Sequence, residues 1–295
     1  ENLGVGRAKL WRDGDISFRD LMDANGRPLS LADLQARAGM GATTVAPRPA
    51  MTFATVKPPR SKAAANEMMV SSGIAKRSDL RGTPEAIRMV PMTALEMTER
   101  FNIPAVDFAG NATKIFKNTR FPPGLGGAIV TATRKDGSKY TAFHMPDDFG
   151  RKSEMLFELA KGTNAKHVEA RRVAISKLPR ISDDLAGRLD KMPDSQYNHS
   201  IAVGFDGLEQ SRSIVVHEYG HLFHDNVAKT QIDDFLTEVR PTETGWGLLV
   251  SSYGNTLPIE YVAESFTIFN VLPVSEHYRI HPRLLAIFIK GDRSQ

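Results

Sequence analysis

Cysteine is absent from this chain of 295 residues. That excludes disulfide staples and thiolate ligands, so any metal ion must be held by nitrogen and oxygen donors. No apolar run approaches the roughly 18 residues that a membrane span needs, which argues against a membrane partner. The opening Glu1-Asn-Leu-Gly-Val-Gly6 lacks the basic-then-apolar order of a signal peptide. A phosphate-cradling glycine loop, a Ser-His-Asp order and internal repeats are missing as well. The absence of an initiating Met reads as a processed product or a piece of something longer. What remains, 41% hydrophobic and 24% charged residues, is the make-up of a soluble globular protein with room for a sizeable core.

Acidic residues are scarce in one place only. Residues 1 to 66 hold 10 Lys or Arg against 6 Asp or Glu, which accounts for the whole net charge of +4. Within them, Gly39 to Asn66 has no acid and carries Arg48, Lys57, Arg60 and Lys62 among Pro, Ala and Thr. The expectation is an extended basic tether, with nucleic acid or an acidic partner as its possible contact.

The chemistry lies further on, in Ser213-Ile-Val-Val-His217-Glu218-Tyr-Gly-His221-Leu-Phe-His224. On a helix, positions i and i+4 share a face, so His217 and His221 can present two imidazoles to one metal ion with Glu218 beside it. With 8 His in the chain, chance supplies this pattern about 0.01 times per sequence of such composition. Ile214, Val215, Val216, Leu222 and Phe223 give the helix an apolar setting. His224 stands about 10 Å along the axis from His217, too far to share the ion, and reads as a spare histidine near the site or at the surface.

A third ligand is expected from Ser251-Ser-Tyr253-Gly-Asn-Thr-Leu-Pro258-Ile-Glu260-Tyr-Val-Ala-Glu264-Ser-Phe266. Pro258 suits a first helical turn, and Glu260 and Glu264 then share a face. Glu260 is expected to ligate the metal and Glu264 to accept the free ring N–H of a ligating histidine.

These residues resemble the gluzincin metallopeptidases. The match is sharper with the anthrax lethal factor type and related toxin and phage-borne peptidases, through His217-Glu-Tyr-Gly-His221, Ser252-Tyr253-Gly254 and Glu260-Tyr-Val-Ala-Glu264-Ser-Phe266. The resemblance covers roughly residues 195 to 290. It implies a zincin-like α+β domain with an active-site helix, a second ligand helix and a small sheet with an edge strand. It also implies Zn²⁺ at His217, His221 and Glu260, Glu218 as the general base for hydrolysis of a protein or peptide substrate, and Tyr253 as the oxyanion donor.

The other segments are read more coarsely. Tyr197 to Phe205 reads as a short strand that could serve as a rail for extended substrate. Met92 to Arg100 and Lys152 to Lys161 look helical, Val168 to Ser176 is strand or helix, and Gly127–Thr133 with Lys139–His144 forms a hairpin about Asp136-Gly137. His144 and His167 are expected to be structural. Leu10 to Leu34 carries two short helices, the first capped by Ser17, a turn at Asn25-Gly26 and a capping-box pattern at Ser30 and Asp33. That segment resembles phage minor head proteins of the Mu F type, which implies attachment of residues 1 to 66 to a phage head or delivery protein, and a virion or delivered location. The expected organisation is an arm over 1 to 66 and a peptidase body over 67 to 295. The competing expectation is a virion assembly protein whose site is unused; a self-processing protease is the third.

Overall fold

The computed structural model describes residues 54–116, 126–151, 164–178 and 181–294. The helices and turn expected within 10 to 34, and the helix expected over 152 to 161, lie outside these residues. The architecture is mixed α and β, mostly helical, with one four-stranded sheet.

Helix α1, Lys62–Ser71, begins where Ser61 caps the N–H of Ala64. It runs through the tether expected to extend to Asn66. Three consecutive alanines favour helix, and Ala65, Met68 and Met69 sink into the core. The described part of the tether therefore ends at Ser61, and the boundary expected between 66 and 67 falls inside a helix.

Helix α2, Pro84–Phe101, is capped by Thr83 and closed by Asn102 in the left-handed region. It passes straight through Pro91, although proline normally limits a helix. Its buried face of Ile87, Val90, Ala94, Met97 and Phe101 carries it across. The helix expected from Met92 is thus only its second half.

Strands β1 (Ser78–Asp79), β2 (Phe108–Gly110), β3 (Ala128–Thr133) and β4 (Lys139–His144) lie in the order β1-β2-β4-β3. The pairs β1–β2 and β2–β4 are parallel, while β3 and β4 form the expected antiparallel hairpin, with Ala128 opposite His144. Gly137, at φ +83°, supplies the left-handed turn residue. Among the described residues β3 has no strand neighbour besides β4.

Helices α3 (Asn164–Lys177), α4 (Asp183–Lys191), α5 (Gly207–Asn226), α6 (Lys229–Val239), α7 (Pro258–Val271) and α8 (Pro282–Gly291) complete the body. Val168 to Ser176 is thus helix. α5 is the hub, packed against α2 on one side and α7 on the other. Phe101, Phe223, Phe266 and Phe288 interlock there, with ring centroids of Phe101 and Phe266 4.7 Å apart and those of Phe223 and Phe266 5.3 Å apart. Among the described residues, no helix is long and apolar enough to cross a membrane.

Tyr197 to Phe205 departs from expectation. It is a turning segment that follows a 3-10 turn at Asp194–Gln196 and contains another at Ala202–Gly204, not a strand. Its polar backbone groups go elsewhere: the carbonyls of Asn198 and His199 accept from Ser252 and Tyr253, and the N–H of Ile201 donates to Glu264. A substrate rail cannot be built on groups already spent inside the molecule.

Candidate metal centre

Buried apolar neighbours bracket the reactive residues of α5. Val215, Val216, Tyr219, Leu222 and Phe223 are all buried, which holds His217 and Glu218 inside the packed body instead of on an open surface. α7 starts on Pro258 at its first turn, as its sequence suggests, and is buried from Glu260 to Phe269. Gly220 sets the distance between the two helices. A Cβ there would lie 2.9 Å from Ala263 Cα, so only glycine permits this approach.

That approach brings three residues together. His217 Nε2 lies 3.1 Å from Glu260 Oε2, and His221 Nε2 lies 3.4 Å from the same oxygen. One nitrogen from each histidine and one Glu260 oxygen all fall within 4.8 Å of one another, in a buried cluster that could hold a metal ion. Two imidazoles and a carboxylate, with no thiolate, suit a borderline divalent cation.

Glu264 stands behind His217. The Nδ1–H of His217 donates to Glu264 Oε1 at 2.9 Å, which leaves Nε2 directed at Glu260 and the metal position. The other oxygen of Glu264 accepts from Ile201 N–H and from the Ser251 hydroxyl, both at 2.7 Å. Ser251 Oγ accepts in turn from Gly254 N–H at 2.9 Å. A carboxylate 1% exposed is thereby fully engaged.

The charges of the cluster hold one another. Burial opposes charge on His217, but its hydrogen bonds to Glu260 and Glu264 outweigh this and push its pKa up to about 10. Burial likewise opposes charge on Glu260, yet the two histidines keep its carboxyl well below the ordinary carboxylate range. A cation bound between them takes over the role of the imidazolium proton, so the donor set fits a metal on both geometry and charge.

Glu218 is 5% exposed and faces the start of β3. A Cβ on Gly127 would lie 3.1 Å from Glu218 Cγ, and the Ile129 N–H donates to the carboxylate. Burial raises the pKa of Glu218 against the pull of His217 and His221. The sheet edge beside the site is therefore β3, in place of the segment 197 to 205.

Tyr253 closes the opposite side. Its ring centroid is 5.8 Å from that of His217, and its hydroxyl hydrogen-bonds Glu260. Burial and the carboxylates of Glu260 and Glu218 raise its pKa above the ordinary 10.0, keeping it an O–H donor. Its loop is anchored from behind: Arg171 Nε donates to Leu248 O, and Arg279 donates to Leu249 O and Val250 O.

His224 is buried and away from the metal cluster, paired with Asp233 at 2.8 Å. It is neither a ligand nor a surface residue. His144 accepts from Ala112 N–H inside the sheet region, but His167, expected to be only structural, reaches Ser252 beside Tyr253.

Comparison with known proteins adds no relative. No protein-family model, curated protein or solved structure matches the chain. Sequence reasoning missed Ser251, Ile201, Gly127 and Gly220. Of these only Gly220 carried a signal, since a glycine inside a helix costs about 1 kcal/mol relative to alanine and calls for a packing reason.

Proposed function

We propose that this protein is a zinc-dependent endopeptidase of the gluzincin type. The reading rests on one observation: His217, His221 and Glu260 converge on one point, with Glu218 buried beside His217 and Glu264 behind it. Bound zinc would supply Lewis acidity for attack of water on a peptide carbonyl.

The chain's own groups perform the remaining tasks. Glu218, with its affinity for protons raised by burial, takes a proton from the attacking water and delivers it to the departing amine. Tyr253 donates its O–H to the oxyanion that develops on the substrate carbonyl, a contact that strengthens as charge builds. Main-chain groups of β3 other than the Ile129 N–H, on the side that no described strand pairs, could receive an extended peptide beside Glu218.

The test combines metal analysis with proteolysis of a peptide library. Purified wild type is expected to carry one zinc per chain and to cleave peptides until a chelator is added. Glu218→Gln keeps the zinc and loses turnover by about 10² to 10⁴-fold. Cleavage indifferent to the chelator, or full turnover in Glu218→Gln, overturns the reading. Bound zinc without any chelator-sensitive cleavage favours an assembly role.

A further inference from the structure

Tyr253 belongs to a row of four aromatic rings that leads away from the metal cluster. The centroid spacings are 5.8 Å from His217 to Tyr253, 5.6 Å from Tyr253 to His199, and 5.4 Å from His199 to His167. Backbone hydrogen bonds hold the row in place. Tyr253 N–H donates to His199 O at 2.7 Å and Ser252 N–H to Asn198 O at 3.1 Å, while Ser252 Oγ and His167 Nδ1 are 3.0 Å apart. Asn164, at the start of α3, donates to Tyr197 O and to Asn198 Oδ1, tying the helix that carries His167 to the same loop.

The two outer histidines differ from those of α5. His217, His221 and His224 each meet a carboxylate of the chain itself. His199 is exposed, and its ring makes no hydrogen bond to another described residue; the Nε2 of His167 is free of one too. Burial, together with the neighbouring His199 and Lys166, lowers the pKa of His167, and no carboxylate is among the groups acting on it. Among the described residues, these three basic side chains thus lie together beside Tyr253 with no carboxylate of their own, an arrangement suited to an anion supplied from outside.

We infer that Lys166, His167 and His199 form a subsite for an acidic side chain of the peptide substrate, on the Tyr253 side of the metal cluster. This deepens the peptidase reading and rests on it. His199 lies one ring beyond the tyrosine assigned to the scissile carbonyl. An extended peptide advances about 3.3 Å per residue, so a residue one or two positions from the cleaved bond brings its side chain over these imidazoles. A carboxylate there accepts hydrogen bonds from the imidazole N–H groups, whose loop and helix Ser252 and Asn164 tie together, and gains the attraction of the Lys166 ammonium.

The experiment uses N-acetylated decapeptides synthesised in pairs that differ only by Glu or Gln at one position, with the position scanned along the peptide. Cleavage by zinc-loaded wild type gives kcat/KM, and fluorescence anisotropy with the Glu218→Gln chain gives Kd without turnover. At one position on one side of the bond, the Glu peptide is expected to be favoured about fivefold in both measures, the size of a partly solvated charge pair. In His199→Gln, and further in His167→Gln/His199→Gln, that ratio falls toward one. If the imidazoles only brace Tyr253, these variants weaken both peptides and leave the ratio intact, which overturns the inference. A ratio of one at every position in the unsubstituted site also overturns it. Failure of wild type to cleave any peptide counts against the peptidase reading instead. In that case Glu-selective binding to the Glu218→Gln chain upholds the subsite, and equal or absent binding of the two peptides removes it.

Discussion

Gly220 on α5 meets the backbone of Ala263 on α7 so closely that a single added methyl group would stand 2.9 Å from Ala263 Cα and 3.1 Å from Phe266 Cβ. Because the ligand histidines flank Gly220 on one helix and Glu260 precedes Ala263 on the other, this contact sets the reach between them. Gly220→Ala gains about 1 kcal/mol of helix propensity but must push two buried helices apart, an overpacking cost of about 1 to 3 kcal/mol. The expected result is a chain slightly less stable in urea and weaker in zinc affinity, read by denaturation and by competition with a chromogenic chelator. A more stable variant with unaltered zinc affinity would show that the contact does not set the spacing.

Glu264→Gln probes how His217 is oriented. The carboxylate accepts from Nδ1–H and so leaves Nε2 free for metal. A glutamine can still accept from Ile201 and Ser251, but its amide N–H₂ then faces Nδ1 and favours the opposite tautomer, with the proton on Nε2. Zinc affinity should fall by about 10- to 100-fold, with little change in far-ultraviolet circular dichroism. Zinc binding as tight as in wild type would count against this role.

Tyr253→Phe removes a donor and little else. Under the proposed mechanism kcat drops by about 10² to 10³-fold, while KM and zinc content stay near those of wild type. The pKa of Tyr253 is raised by burial and by the carboxylates of Glu260 and Glu218, so its deprotonation leaves no alkaline decline in the wild-type rate below about pH 10. An equal loss of zinc and turnover would mean that the phenol shapes the site without acting on the oxyanion.

Acid should loosen the packing around His277 and His281. His281 is packed between Trp246 and Phe235, and His277 lies against Phe269. Burial depresses their pKa values to about 3 and about 4, from 6.5. The unfolded chain therefore binds more protons below pH 6.5. The contribution of each neutral histidine is complete above that pH and is lost as pH falls toward the folded value, by about 1.4 kcal/mol per pH unit. Urea denaturation at pH 7, 6 and 5 measures it. His281→Asn, which keeps an acceptor for the Arg283 N–H that His281 now caps, should show a shallower decline than wild type, and parallel slopes would refute the assignment.

Much of the candidate site was legible because its geometry is local. Two histidines four apart on α5, and two glutamates four apart after a helix-starting proline, need only helical periodicity to be placed, and the structure sets both pairs face to face. The hairpin was legible for the same reason, since alternation and Asp136-Gly137 define it within 17 residues. What escaped was set by distant contacts. Tyr197 to Phe205 alternates like a strand, yet Glu264 captures Ile201, and residues 252 and 253 occupy the neighbouring carbonyls. His224 looked spare because its partner, Asp233, comes from the next helix. His167 gave no hint of reaching Ser252, 85 residues further along.

The buried arginines behind Tyr253 bear on how the site can move. Carbonyls 248, 249 and 250 all end on Arg171 or Arg279, which are 4% and 2% exposed. Swinging that wall outward would strip three carbonyls and strand two guanidinium ions in apolar packing. The β3–β4 hairpin is held differently: its turn, residues 134 to 138, is exposed, and among the described residues β3 pairs with β4 alone. Of the two sides of the metal cluster, the tyrosine side is therefore the one whose displacement costs buried hydrogen bonds to charged groups.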